Sequence, residues 1–130
     1  MEKIQHNIEF SVTPEEFYTT ILDAGKHSAF TQSVVEIDDK KGSHYTAYDG
    51  YIDGANLELT PYRLIVQSWK ADEEGWPEGH FSKITFRISP EGKGCKVEFT
   101  HEGIPDGMGK MYDDGWKENY WDKLKEFFNK

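Results

Sequence analysis

Histidines are the side chains of this sequence best suited to acid–base or metal chemistry. His6, His27, His44, His80 and His101 lie far apart in the chain, with no i, i+4 pair and no His-x-His. Metal sites on one helix or strand need such spacing, which brings two ligands to the same face. The sequence therefore predicts no metal site, and we expect no cofactor.

Among these histidines, His101 is the leading candidate for a catalytic acid or base. It has the inward parity of the last predicted strand, and the unperturbed pKa of histidine lies near neutrality. A histidine hydrogen-bonded at a strand end is the alternative interpretation. The sequence contains no Gly-x-Ser-x-Gly elbow, Gly-rich phosphate loop or Cys/His pair. We interpret the single cysteine, Cys95, as a small buried residue of a strand. The sequence favours a non-enzymatic protein.

Composition and charge exclude several classes of partner. The 130 residues have the length of one domain, which we expect to span residues 1–130. The net charge of −9 opposes binding to nucleic acid or to an anionic membrane surface. No apolar run is long enough for a membrane span or a signal peptide, and one cysteine suits a reducing compartment, so we expect a cytoplasmic protein.

The last 25 residues predict the helix around which the fold is organised. Tyr112, Trp116, Tyr120 and Leu124 recur at i, i+4 steps within the segment 106–130, with Asp106 as a candidate N-cap. Such a wide aromatic stripe requires a concave apolar surface to pack against. Because the upstream chain consists mainly of short strands, we expect a sheet wrapped around this helix.

The upstream pattern begins with a strand and two short helices. Alternation from Ile4 to Val12 predicts the strand, and Thr13 and Pro14 then begin a helix that we expect to end at Gly25, followed by a short helix over 26–31. Further strands are predicted at 34–37, 44–48, 51–59, 63–70, 82–88 and 95–100.

Two glycines stand out within these predicted strands. Asp49-Gly50 indicates a two-residue hairpin, and Gly54 indicates either a bulge or a close approach to the backbone. The whole pattern predicts an α+β fold, in which about six or seven antiparallel strands form a curved sheet around the C-terminal helix.

Four stretches in this order resemble a known family. They are Asp49–Gly54 leading to Glu58–Pro61, Leu64–Trp69, Trp76–Phe81, and His101–Pro105 followed by Gly115-Trp116. Together they are similar to the heat shock protein 90 ATPase activator homologue-like family of the START-related SRPBCC superfamily. The resemblance spans nearly the whole chain and implies the Bet v 1-like helix-grip fold, often with a cavity between sheet and helix.

A non-enzymatic domain that binds an apolar or amphipathic small molecule is the leading functional hypothesis. Its basis is the aromatic content of 15%, together with Gly54 and methionines near the helix start that adapt to variable contents. We expect the cavity walls to come from Phe30, Tyr48, Trp69, Phe86, His101, Met108, Tyr112, Trp116 and Tyr120.

Two alternatives stay open. The resemblance implies a co-chaperone-like module acting on a heat shock protein 90 type chaperone, with Trp76 and Pro77 in an acidic loop as the contact, because Trp is enriched at binding hot spots. Trp76 could instead cover the open end of the sheet. A cyclase- or hydrolase-like enzyme using His101, which the superfamily sometimes provides, is the second alternative.

Overall fold

The computed structural model describes residues 1–129 and confirms the α+β helix-grip fold. Its elements are β1 (Glu2–Phe10), α1 (Pro14–Leu22), α2 (Ala24–Thr31), β2 (His44–Ala47), β3 (Ile52–Thr60), β4 (Leu64–Ala71), β5 (Ser82–Glu91), β6 (Gly94–Ile104), α3 (Gly109–Trp116), a π turn (Lys117–Trp121) and α4 (Asp122–Phe128). Within the described residues the strands form one six-stranded antiparallel sheet in the order β1-β6-β5-β4-β3-β2.

The two short helices are separated by a side chain rather than by a glycine. Thr13 Oγ1 accepts a hydrogen bond from the Glu16 amide (3.2 Å) and begins α1, as predicted. The prediction that Gly25 ends this helix is wrong. Asp23 ends α1, and its carboxylate accepts from the Lys26 amide (2.9 Å) to begin α2, which contains Gly25.

The region before β3 differs from the sequence prediction in two respects. Residues 34–37 are not a strand, since their ladder pairing is one isolated bridge between Glu36 and Thr46. The two-residue hairpin is replaced by a four-residue turn, residues 48–51, between paired Ala47 and Ile52. The wider turn is tied to this segment, because the Asp49 carboxylate accepts from the Val34 amide (2.8 Å) and the Asp49 amide donates to the Val34 carbonyl (3.1 Å).

At Gly54 the backbone of β3 closely approaches neighbouring atoms of β4 and β2, and such a close approach was one of the two predicted roles of this glycine. A Cβ there would overlap the Ser68 carbonyl oxygen and stand 2.8 Å from Cε1 of Tyr45. The register shift of β3 lies further on, between Asn56 and Glu58.

The C-terminal helix packs its aromatic stripe on the sheet. The predicted N-cap, Asp106, is wrong: the helix begins at Gly109, and the Glu2 carboxylate from β1 caps it by accepting from the amides of Gly107 and Gly109. The predicted helical segment included Lys130, which lies outside the described residues. Tyr112, Trp116, Tyr120 and Leu124 are buried, as the stripe predicted.

Aromatic rings fill the space between this helix and the middle of the sheet. The Trp116 ring lies 4.4 Å from that of Phe99, and the Phe86 ring lies 5.1 Å from Phe99. These centroid distances are those of packed aromatic pairs. Among residues 1–129, no helix combines the length and apolar character needed to cross a membrane.

Candidate binding groove

A partly open groove of about 440 Å³ lies beside the filled core, between the C-terminal helix, the 48–51 turn and β4. We call it the aromatic groove, because tyrosine and tryptophan rings dominate its walls. Its volume is in the range of small-molecule sites, about 300–1,000 Å³. The lining residues are Tyr48, Tyr51, Ile52, Trp69, Met111, Tyr112, Gly115, Trp116, Asn119 and Tyr120.

One face of the C-terminal helix forms one side of the groove. Met111, Gly115 and Asn119 follow each other at i, i+4 steps, so their positions share that face. Gly115 leaves it open, since a Cβ there would meet only the Asn119 Nδ2 atom, at 3.8 Å. Met111 is 45% exposed and offers a flexible apolar surface at the rim.

Tyrosine hydroxyls tie the opposite wall to the helix. Tyr48 donates its hydroxyl proton to the Asn119 carbonyl in the π turn (2.9 Å), and the hydroxyls of Tyr51 and Tyr112 lie 3.2 Å apart. Tyr51 also donates to the Glu73 carboxylate (3.0 Å). Burial raises the pKa of Tyr48 to about 12, and burial raises the pKa values of Tyr51 and Tyr112 as well, so these phenols are neutral at physiological pH.

His101 lies behind the groove as a fully buried part of the core. Trp116 Nε1 donates to His101 Nδ1 (3.0 Å), so the histidine proton is on Nε2, which faces Ser82 Oγ at 2.8 Å. Ser82 in turn donates to the Trp69 carbonyl (2.7 Å). Burial lowers the pKa of His101 to about 3, so the ring is neutral and both its nitrogens are engaged.

The predicted wall residues divide between groove and core. Tyr48, Trp69, Tyr112, Trp116 and Tyr120 line the groove. Phe30 instead stacks on His27 with a ring separation of 4.9 Å, Phe86 packs against Phe17 and Phe99, and Met108 is partly buried at the helix start.

Sequence reasoning missed Tyr51, Ile52, Met111, Gly115 and Asn119. The available signal for this groove was Gly115, a glycine inside the helix directly beside the aromatic stripe. Glycine is unfavourable inside a helix, so its presence between Met111 and Asn119 indicates space on that face.

The Trp76 loop packs its indole against two rings that line the groove, those of Trp69 and Tyr112. The Trp76 indole is partly buried, donates to the His80 carbonyl (2.8 Å) and lies 5.8 Å from the Trp69 ring. His80 Nε2 donates to the Gly103 carbonyl (2.7 Å), which fastens the loop to β6. Pro77 is exposed, so Trp76 covers Trp69 while Pro77 faces outward.

We expect Trp76→Ala to lower the free energy of unfolding by about 2 kcal/mol, since it removes a half-buried ring and its hydrogen bond. Urea unfolding followed by fluorescence would measure the change. Pro77→Ala is the control and should stay within about 0.5 kcal/mol, as for other exposed positions. Equal stability of Trp76→Ala and wild type would show that the ring does not hold the loop.

Within residues 1–129, no group of three or more His, Cys, Asp or Glu side chains could hold a metal ion. The groove presents apolar ring surface together with phenol oxygens.

Comparisons with known proteins agree with this fold. Residues 11–129 match the family model described as activator of Hsp90 ATPase homolog 1-like protein. A Dictyostelium discoideum protein named activator of 90 kDa heat shock protein ATPase homolog is 34% identical over 93% of this chain, and the human homolog 1 is 28% identical over 97%. The matches span 31% and 37% of those relatives, so this chain corresponds to about a third of their length.

A solved structure gives the same result in three dimensions. The crystal structure of an HSP90 activator from Plasmodium falciparum superposes with a TM-score of 0.91 at 25% identity, covering 99% of this chain and 97% of that one. The family resemblance inferred from the sequence motifs is therefore confirmed. By the family model that matches residues 11–129 and by its similarity to these relatives, the chain belongs to the activator of Hsp90 ATPase homolog 1-like family.

Proposed function

We propose that this chain is a non-enzymatic binding module that engages an Hsp90-type chaperone through the aromatic groove. The observation that carries the proposal is the groove itself, a surface of about 440 Å³ with four tyrosines, two tryptophans and an exposed methionine in its lining. Aromatic residues and methionine are the types enriched in protein interfaces. The names of the Dictyostelium and human relatives add the class of partner.

An open groove supports a macromolecular partner more than an enclosed ligand. Phe86 and His101, which sequence analysis assigned to a cavity wall, are packed in the core, so the accessible aromatic surface lies outside it. His101 has both ring nitrogens engaged, which gives no support to the cyclase- or hydrolase-like alternative. The proposal treats residues 1–130 as one domain acting in the cytoplasm.

Met111→Ala tests the chaperone proposal, with Leu57→Ala as a matched control. Both side chains are exposed to similar extents, 45% and 44%, but only Met111 is in the groove lining. We expect Met111→Ala to weaken chaperone binding about 10-fold, or roughly 1.4 kcal/mol, and Leu57→Ala to leave it unchanged. Calorimetric titration and steady-state ATPase turnover of the chaperone are the measurements. The proposal fails if wild-type chain at tens of micromolar neither binds nor alters turnover.

An apolar or amphipathic small molecule in the same groove is the second candidate. The groove volume is sufficient for one, and apolar walls with a few phenol oxygens are typical of such sites. Native mass spectrometry of the purified chain would reveal a bound molecule. Gly115→Phe should fill the groove and abolish that binding, because Gly115 is in its lining and a Cβ there meets no close neighbour.

A further inference from the structure

The hydroxyl protons of the four groove tyrosines are all engaged in hydrogen bonds within the protein. Tyr48 donates to the Asn119 carbonyl. His27 Nδ1 lies 2.9 Å from the Ile21 carbonyl and must donate to it, so His27 Nε2 is the acceptor for the Tyr120 hydroxyl at 3.0 Å. A phenol has one proton, so Tyr48 and Tyr120 have only oxygen lone pairs left for a ligand.

The same accounting applies to Tyr51 and Tyr112. The Glu73 carboxylate can only accept, and therefore holds the single proton of Tyr51 in their 3.0 Å hydrogen bond. The Tyr51–Tyr112 bond of 3.2 Å must then be donated by Tyr112. Both phenols are left as acceptors, and the negative charge of Glu73 polarises the pair.

Few donors remain to balance these four phenol oxygens. Among the described residues that line the groove, the side chains still able to donate are the Asn119 amide and the Trp69 indole, and none is Lys or Arg. Trp116, the other indole, donates to His101. A carboxylate ligand would therefore meet mainly oxygen lone pairs and ring faces, whereas a cation would find acceptors and π surfaces.

Acidic residues extend this preference along the neighbouring surface. A second hollow shares Tyr51 with the groove and is lined by Asp53, Asp72, Glu73 and Glu78. The cation in its lining, Lys70, lies with its Nζ 5.4 Å from the centre of the Phe81 ring. The net charge of −9 adds a long-range attraction for positive partners.

We infer that the groove accepts a basic side chain of the protein partner, an arginine or lysine whose apolar stem lies on the rings while its cationic head meets the phenol oxygens and Glu73. This inference rests on the proposed function and names the chemistry of the partner at that site. Arginine stacks well on aromatic faces and is enriched at interface hot spots. The same acceptors disfavour a fatty acid or an acidic peptide.

A matched pair of probes tests the charge preference in the intact chain. Tryptamine and indole-3-propionate share the indole ring and differ in carrying an ammonium or a carboxylate. We expect tryptamine to bind at least 10-fold more tightly in an NMR titration that follows the groove side chains. Glu73→Gln should reduce this preference several-fold, whereas Glu74→Gln, an exposed neighbour outside the lining, should not.

The Tyr51→Phe variant provides a second, independent test of the charge preference. Removing the Tyr51 hydroxyl releases the Tyr112 proton to donate into the groove, so affinity for the carboxylate probe should rise. Equal binding of both probes, a preference for the carboxylate, or no binding of the amine at millimolar concentration would overturn the inference.

Chaperone titrations with Glu73→Gln separate this inference from the proposed function. Weaker binding of Glu73→Gln than of Glu74→Gln supports both proposals. Chaperone binding that is indifferent to Glu73→Gln, with probes bound equally, removes the inference and leaves the proposed function standing. An amine preference without any chaperone binding would overturn the proposed function and, with it, the partner side chain as the source of the cation.

Discussion

Lowering the pH from 7.5 to 5 is expected to reduce the free energy of unfolding by about 4 kcal/mol, because the folded state accommodates two buried histidines only in their neutral form. Burial lowers the pKa of His27 to about 4 and that of His101 to about 3. Both rings are held by internal hydrogen bonds, His27 between the Ile21 carbonyl and Tyr120, and His101 between Trp116 and Ser82.

The sign follows from where the protons bind. In the unfolded chain a histidine titrates near pH 6.5, so below that pH the unfolded state binds protons that the folded state does not bind. The stability contributed by neutral His27 and His101 is complete above pH 6.5 and is lost as pH falls toward 4 and 3. At pH 5 the contribution of each ring to the free energy of unfolding has fallen by about 2 kcal/mol. This is a large share of the total free energy of unfolding of a domain, typically about 5–15 kcal/mol.

Urea unfolding at pH 7.5, 6 and 5 measures this loss. His27→Gln keeps a donor for Ile21 and an acceptor for Tyr120, so it should remove about half of the pH dependence. Stability that is flat from pH 7.5 to 5 would mean that neither buried ring resists protonation.

Gly54→Ala is expected to lower the free energy of unfolding by at least about 4 kcal/mol, a loss typical of backbone clashes and core defects. A Cβ at this position would overlap the Ser68 carbonyl oxygen, stand 2.7 Å from the Ser68 carbonyl carbon and crowd the Tyr45 ring. The same carbonyl accepts from the Tyr45 hydroxyl (2.7 Å), which holds it in this position. The strand itself would have to move to admit one methyl group.

Gly115→Ala is the matched control for this substitution. Its Cβ would find no atom closer than 3.8 Å, and alanine is favoured over glycine inside a helix by up to about 1 kcal/mol, so this variant should be slightly more stable than wild type. Thermal melts of both variants measure the contrast. A Gly54→Ala protein that melts with the wild type would show that β3 and β4 are not held at this distance.

The sequence by itself determined the order and type of nearly every element, because those depend on neighbours in the chain. Alternation along β1, the Thr13 cap and the i, i+4 stripe from Tyr112 to Leu124 are local patterns, and each predicted its element. Residues 34–37 show the limit. Their apolar content suited a strand, but strand pairing depends on what a distant segment offers, and Thr46 supplied one bridge.

Only the tertiary structure decided where the groove lies and which histidines are buried. Its phenol hydrogen bonds join residues 71 and 61 positions apart, Tyr48 with Asn119 and Tyr51 with Tyr112, and no periodicity reports such pairs. Strand parity placed His101 inward, but no pattern in the sequence distinguished His27 from His44, and burial makes His27 neutral while the His44 side chain is 65% exposed. The physical reason is that packing, charge polarity and pKa depend on surroundings contributed by other elements, whereas periodicity records only which face of its own element a residue occupies.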